Sequence, residues 1–429
     1  MSYAIYKLLS SLVFNLGFPF FYIFSALTGH HKESLNERRG IYGSMITAND
    51  RFPRFWIHAA SVGEVRAAQA LLPELQKCFP KALFILSTMT RHGHQVAKSQ
   101  LPPSVTCIYA PLDVCPLVRR ALTILRPTCY ISLETELWPN FLTEAHRLGI
   151  ELYLLNGRLS DRSLQRYKKI PGLILPLINA FSAIATISEL DRKRFIELGA
   201  QPEKVLASGN TKFDLCAQND AGAVRTYKTL LNIDDTQTII IFGSTHSGEE
   251  IFFIDAYLAL HESLPESVFI LAPRHVNRLA EIENLFASHS LTYDKISELH
   301  GKSRCRSVVL VDTMGELAAL YSIGTFIFCG GSMVPKGGHN IMEAAIWGKP
   351  VFYGPHMKDF ADAAELLESH CASVPIVKPE DFIQSVLFLS KNPDQYASLC
   401  RNARQVASSQ QGAAYRQARL VADSLKFAA

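Results

Sequence analysis

Twice along the chain, short apolar runs rich in β-branched residues alternate with helical patterns, and this alternation limits the fold more than any other feature. The first series reads RFWIHAAS, ALFILSTMT, SVTCIYAP, PTCYISLET, ELYLLNGRL, AIATIS and KVLASGN. The second reads TIIIFGS, SVFILAPRH, SVVLVDTM, TFIFCGGS, PVFYGP and ASVPIV. Runs that are apolar at nearly every position, rather than at every second one, suit strands buried on both faces, as in parallel sheets covered by helices. Each series therefore predicts a Rossmann-like, doubly wound α/β domain. The polar stretch AQNDAGAVRTYKTLLNIDDTQ separates them and puts the boundary near residues 215–235. The helical tail after about Asp394 has the length to pack back across the cleft. A chain of 429 residues agrees with two domains, at about 150 residues per domain, and 48% hydrophobic with 19% charged residues supplies the cores.

Open α/β sheets bind ligands outside the carboxyl ends of their strands, and the unusual residues fall there. In the first half they are Ser61 to Glu64, Glu134 to Asn140, Asn156 to Arg162 and Asn210 to Asp214. In the second they are Gly243 to Glu250, Pro273 to His275, Asp312 to Glu316 and Gly330 to Asn340. Two such sheets facing one another would make one deep central cleft. Within CGGSMVPKGGHNIMEAAIWGKPVFYGP, four glycines permit close backbone approach, and HNIMEAAIWG is expected to start a helix whose N-terminus receives an anion such as phosphate. Asn340 and Glu343 share one face of that helix, where the carboxylate suits vicinal ribose hydroxyls. LAPRH, VDTMGEL and GSTHSGEE offer loops for a base and donors for an anion. Glu134, Glu136 and Lys212 offer charges for a polar substrate. Taken singly, the glycine-rich stretch has a capped glycine turn as its alternative, and the other motifs read equally well as strand ends, helix caps and surface ion pairs.

The N-terminus differs in kind. YAIYKLLSSLVFNLGFPFFYIFSAL is almost continuously apolar and is followed by the basic TGHHKESLNERRG, an arrangement suited to a cytoplasmic membrane face. Its length suffices to span a bilayer, while Lys7, Asn15, Gly17 and Pro19 fit a tilted or interfacial anchor equally well. A buried N-terminal helix is the alternative. Other chemistries are disfavoured. A net charge of +4, from 43 basic and 39 acidic residues, with no basic run, argues against nucleic acid. The 9 cysteines are scattered, as in a reducing compartment. The 14 histidines show no metal-binding spacing, so no metal and no cofactor is expected. No nucleophile elbow and no Walker A sequence occurs.

Taken together and in this order, HAASVGE, ETELWPN, NGRLSDRS, GNTKFD, PRH, MGEL and GGHNIMEAA resemble the bacterial 3-deoxy-D-manno-octulosonic acid (Kdo) transferases over nearly the whole chain. The resemblance implies a GT-B glycosyltransferase that moves Kdo from CMP-Kdo to the lipid A precursor, lipid IV-A, on the cytoplasmic side of a Gram-negative inner membrane, in lipopolysaccharide synthesis. It implies Glu64 as general base and Glu134 and Lys212 as transition-state contacts. Lys212 would offset charge on the Kdo carboxylate or the departing phosphate. It implies CMP contacts at Pro273, Arg274, Met314, Gly315, Glu316, Asn340, Ile341, Met342 and Glu343. The expected layout is a hydrophobic anchor over 1–30, an acceptor-binding domain over 31–220 and a donor-binding domain over 221–429. A sugar-nucleotide epimerase would use such a cleft without needing an anchor. A non-catalytic binder of anionic lipid would need the anchor but neither the nucleotide loops nor Glu64.

Overall fold

Strands of about five residues, apolar on both sides, stack into two separate sheets. The computed structural model describes residues 2–28, 32–43, 52–215, 221–299 and 301–425. The chain divides into two compact units, Met1–Leu215 with Gln411–Ala429, and Cys216–Gln410.

In the first unit the strands are β1 (Arg54–His58), β2 (Leu83–Thr88), β3 (Val105–Tyr109), β4 (Cys129–Leu133), β5 (Glu151–Gly157), β6 (Ala183–Thr186) and β7 (Val205–Ala207). They pair in the order β3-β2-β1-β4-β5-β6-β7, parallel throughout. Successive residues of one strand serve opposite cores, since side chains alternate across a sheet. Trp56, Tyr130, Leu152 and Leu154 pack on one face. Phe55, Ile57, Cys129, Ile131 and Tyr153 pack on the other, together with Ala418 and Val421 from the C-terminal helix Ala413–Ser424. The tail helix is therefore part of the first unit's core; the sequence reading gives 221–429 to the second domain, with the tail helix packing back on the first.

The second unit repeats the scheme with β8 (Ile239–Thr245), β9 (Val268–Pro273), β10 (Asp294–Lys295), β11 (Val308–Leu310), β12 (Phe326–Cys329), β13 (Val351–Tyr353) and β14 (Ser373–Pro375). The order is β10-β11-β9-β8-β12-β13-β14, again parallel throughout. Its core is built around Phe242, with Phe252, Phe253, Phe328 and Phe382 at ring separations of 5.0 to 5.3 Å. Edge-on and offset contacts of this kind add to the burial of the rings themselves.

Over residues 3–20 the N-terminal helix Tyr3–Thr28 docks on the first unit by one side. Tyr6 donates from its hydroxyl to Asp113 Oδ2 at 2.9 Å, and Asn140 Nδ2 donates to Ser10 Oγ at 3.0 Å. Asp113 also accepts from the backbone N–H groups of Asn140 and Phe141, so it caps the helix Pro139–Arg147. The other side exposes Ile5, Leu8, Leu9, Leu12, Val13, Leu16 and Phe20. Among the described residues, no helix is long and apolar enough to cross a membrane. Arg38 is held against Tyr109 and donates to Met89 O at 2.6 Å, while Arg158 and Arg162 are exposed. His30 and His31 lie outside the described residues. None of the described cysteines is disulfide-bonded.

Candidate active site

β1 ends at His58, and Ala59 and Ala60 lead to Ser61, the N-cap of the helix Val62–Cys78. Small residues let the chain turn here without filling the space in front of the helix. Glu64, in the first turn, folds back: Oε2 accepts from the Ala60 N–H at 2.5 Å and Oε1 accepts from the Ser61 hydroxyl at 2.9 Å. The carboxylate thus reaches back past the N-cap to the residue before it. Only 5% of Glu64 is exposed. Burial first, and then the negative charges of Glu134 and Glu136, push its carboxyl up to about 8, against the pull of those two hydrogen bonds. Burial likewise raises Glu136.

Glu134 follows β4 in the left-handed region, at φ 56°, with its N–H bonded to Leu155 O at 3.0 Å. A non-glycine residue holds that conformation only when its surroundings enforce it. Its carboxylate receives Lys212 Nζ at 2.5 Å. A Cβ on Gly63 would stand 3.5 Å from the same ammonium, so the pair lies against the turn that carries Glu64. Glu64, Glu134 and Lys212 come from three strand ends, and the fold brings them together.

Lys212 sits in the turn Thr211–Leu215 after β7, and this turn is fastened by residues that the motif reading did not single out. Buried Asn156, at φ 55°, accepts on Oδ1 from the Thr211 N–H at 2.9 Å. The Asn156 N–H donates to Gln417 Oε1 at 3.1 Å, and Gln417 Nε2 donates to Ser208 Oγ at 2.9 Å and to Gly209 O at 3.1 Å. Asp214 accepts from the N–H groups of Gly412 and Ala414 at 2.7 and 2.6 Å. Asn156 and Asp214 stood in the sequence only as ends of polar stretches. Gln417 had one weak signal, a polar residue on the apolar face shared by Ala413, Ala414, Ala418 and Val421.

In the second unit a cavity opens at the strand ends, lined by Ser244, Pro273, Arg274, Met314, Gly315 and Glu343, among others. Arg274 is placed by its N–H bond to Thr245 O at 3.0 Å. Gly330 is required: a Cβ there would fall 2.5 Å from the Ser244 carbonyl oxygen. Asn340 accepts from the Met342 N–H and donates to Glu343 Oε1, both at 3.2 Å. Ile341 and Met342 are buried, so from that segment it is Glu343 that reaches the cavity wall. Glu316 accepts from the Thr313 hydroxyl and is not on the wall.

The glycine-rich stretch departs from the anion site expected of it. HNIMEAAIWG forms only one helical turn, Met342–Ala345. The N–H groups of Gly331, Ser332 and Met333 point to buried Glu249, which accepts them at 2.7, 3.1 and 3.0 Å as well as the His246 N–H at 2.9 Å. An internal carboxylate thus takes up the N–H groups at the start of the glycine-rich stretch, ahead of the turn at Met342 where the anion is expected. No group of three or more potential metal ligands assembles among the described residues.

Two parallel sheets with polar residues gathered at their strand ends define a two-domain α/β protein. A UDP-GlcNAc 2-epimerase from Neisseria meningitidis shares that fold at a TM-score of 0.56 and 14% identity, over 87% of this chain and 99% of that one. Residues 33–215 match the family model for 3-deoxy-D-manno-octulosonic-acid transferase (kdotransferase). A 3-deoxy-D-manno-octulosonic acid transferase of Haemophilus influenzae is 32% identical over 346 residues, 80% of either chain. A bifunctional glycosyltransferase/methyltransferase of Fusobacterium nucleatum is also 32% identical over 346 residues, and the match spans about half (53%) of that longer protein. The chain belongs to the Kdo transferase family and is thereby a glycosyltransferase.

Proposed function

We propose that the protein transfers Kdo from CMP-Kdo to the lipid A precursor lipid IV-A, with inversion, and that Glu64 is the general base. The observation that carries this reading is the buried Glu64 carboxyl, raised to about 8 and set beside the Glu134–Lys212 pair. The acceptor hydroxyl oxygen attacks the anomeric carbon of Kdo and loses its proton to Glu64. The bond from that carbon to the CMP phosphate breaks, and CMP leaves with the bonding electrons. Lys212, oriented by Glu134, offsets charge on the departing phosphate. In the second unit Pro273 and Met314 flank the nucleoside, Glu343 accepts from its ribose hydroxyls and Arg274 meets its phosphate.

The one-sided docking of the N-terminal helix supports an interfacial helix whose exposed leucines enter the cytoplasmic leaflet of a Gram-negative inner membrane, where a lipid acceptor resides. The test incubates the purified protein with freshly generated CMP-Kdo and lipid IV-A and looks by mass spectrometry for added Kdo. Product is expected from the parent, and a rate about 10²- to 10⁴-fold lower from Glu64→Gln, the usual worth of a general base. Unchanged turnover in that variant removes Glu64 from the role; an isomerised donor with no acceptor product points to epimerase chemistry instead.

A further inference from the structure

Three imidazoles with no part in the chemistry above meet next to the second unit's cavity. His246 follows β8, His275 follows Arg274, and His339 precedes Asn340. The rings of His246 and His339 are parallel within 4° and their Nε2 atoms are 2.9 Å apart, so one ring donates to the other. His275 meets His246 edge-on, with centroids 5.5 Å apart. A Cβ on Gly331 would come within 3.1 Å of the His339 ring and 3.4 Å of the His246 ring, so the glycine turn lies directly against the pair.

The charges around these rings are unbalanced. The charges of Lys336, Arg278 and Arg274 all act on His246 and disfavour its protonation. Arg278 is neutralised by Glu250 at 2.9 Å and Glu281 at 2.8 Å, and Glu249 is taken up by four backbone N–H groups. Among the described residues, neither Arg274 nor Lys336 has an ion-pair partner. Burial, with His275 and these cations, holds the His246 imidazole down to about 4. Such a place offers unpaired cations and imidazole N–H donors, with Glu343 on the cavity wall beside Arg274 and Asp359 against Gly337, and it suits an arriving oxyanion.

We propose that His246, His275 and His339, with Lys336, form the subsite for the carboxylate of the donor sugar. This rests on the reading that the donor is CMP-Kdo. A 2-ulosonic acid carries its carboxylate on the anomeric carbon, the same carbon that bears the phosphate, so such a donor presents two anions side by side. The second unit offers two adjacent features to match, the Arg274 guanidinium and the imidazole N–H groups with the Lys336 ammonium. Arg274 lines the nucleotide cavity, whereas none of the three histidines does. The phosphate is thereby assigned to Arg274 and the carboxylate to the histidines.

The test measures, in His246→Gln, His339→Gln and the exposed-site variant His275→Ala, the Kd for CMP by calorimetry and the KM and kcat for CMP-Kdo. Glutamine keeps a hydrogen-bonding group in the paired positions, and the His275 variant disturbs no buried packing. CMP affinity is expected to stay within about twofold, while the donor KM rises about 10- to 100-fold, the worth of one charge-assisted contact. Equal losses for CMP and donor would make the cluster a phosphate site and overturn the assignment. An unchanged donor KM in all three variants would overturn it as well. A parent protein that binds no CMP would sink the donor reading itself, and the subsite with it.

Discussion

Glu64 carries a conflict that its own turn of helix does not resolve. A carboxylate in a first helical turn is favoured by the helix dipole and by the free N–H groups there, and two hydrogen bonds hold it as an anion. Yet burial and two neighbouring glutamates outweigh them and leave the group a stronger base than an exposed glutamate. Since a base must be deprotonated to act, kcat/KM for the parent should fall as pH drops through about 8, the profile of the free enzyme. A pH series of initial rates checks this, and a flat profile between pH 6 and 9 would contradict it. The same shift has a stability sign. The folded-state value lies above the ordinary 4.5, so the protonated carboxyl favours the fold at low pH, and that contribution is lost as pH rises through about 8. Glu64→Gln should therefore melt no lower than the parent at pH 9 by calorimetry.

Among the elements, the tail helix Ala413–Ser424 has the longest reach in sequence. Through Gln417 it ties the ends of β5 and β7 together, and through Asp214 its own N-terminus is capped by the turn that presents Lys212. Replacing Gln417 with Ala would leave the Asn156 N–H and its neighbours buried without partners, at about 1–3 kcal/mol for each unsatisfied group. The expected result is a lower urea midpoint, together with faster amide exchange at Thr211 and Lys212. Exchange unaltered at those two residues would separate the tail from the positioning of Lys212. Strands were more legible than such ties. The apolar runs stand out because each strand is buried on both faces. β10 escaped notice because it is two polar residues at a sheet edge, Asp294 and Lys295. The tie that holds the start of the glycine-rich stretch was illegible for a related reason: the partner of its N–H groups, Glu249, lies 82 residues from Gly331, and no local pattern records that.

For the whole molecule, the exposed stripe on the N-terminal helix is the feature left without a partner of its own. Leu12 and Leu16 are 52% and 63% exposed, away from the Tyr6 and Ser10 contacts that dock the helix. The double substitution Leu12→Glu and Leu16→Glu is expected to abolish co-sedimentation with anionic phospholipid vesicles while leaving the CMP Kd unchanged. Retained sedimentation would locate membrane attachment elsewhere. By itself the sequence determined that there are two parallel α/β sheets and where polar residues gather at their strand ends, because continuous apolar runs and their punctuation are local properties. Only the tertiary structure decided that Lys212 meets Glu134 beside Glu64, that Gln417 fastens their loops, and that Glu249 takes up the N–H groups of the glycine turn at residues 331–333. Those outcomes depend on which strand ends become neighbours, and contacts made across 78, 261 and 82 residues of chain are set by packing rather than by any local pattern.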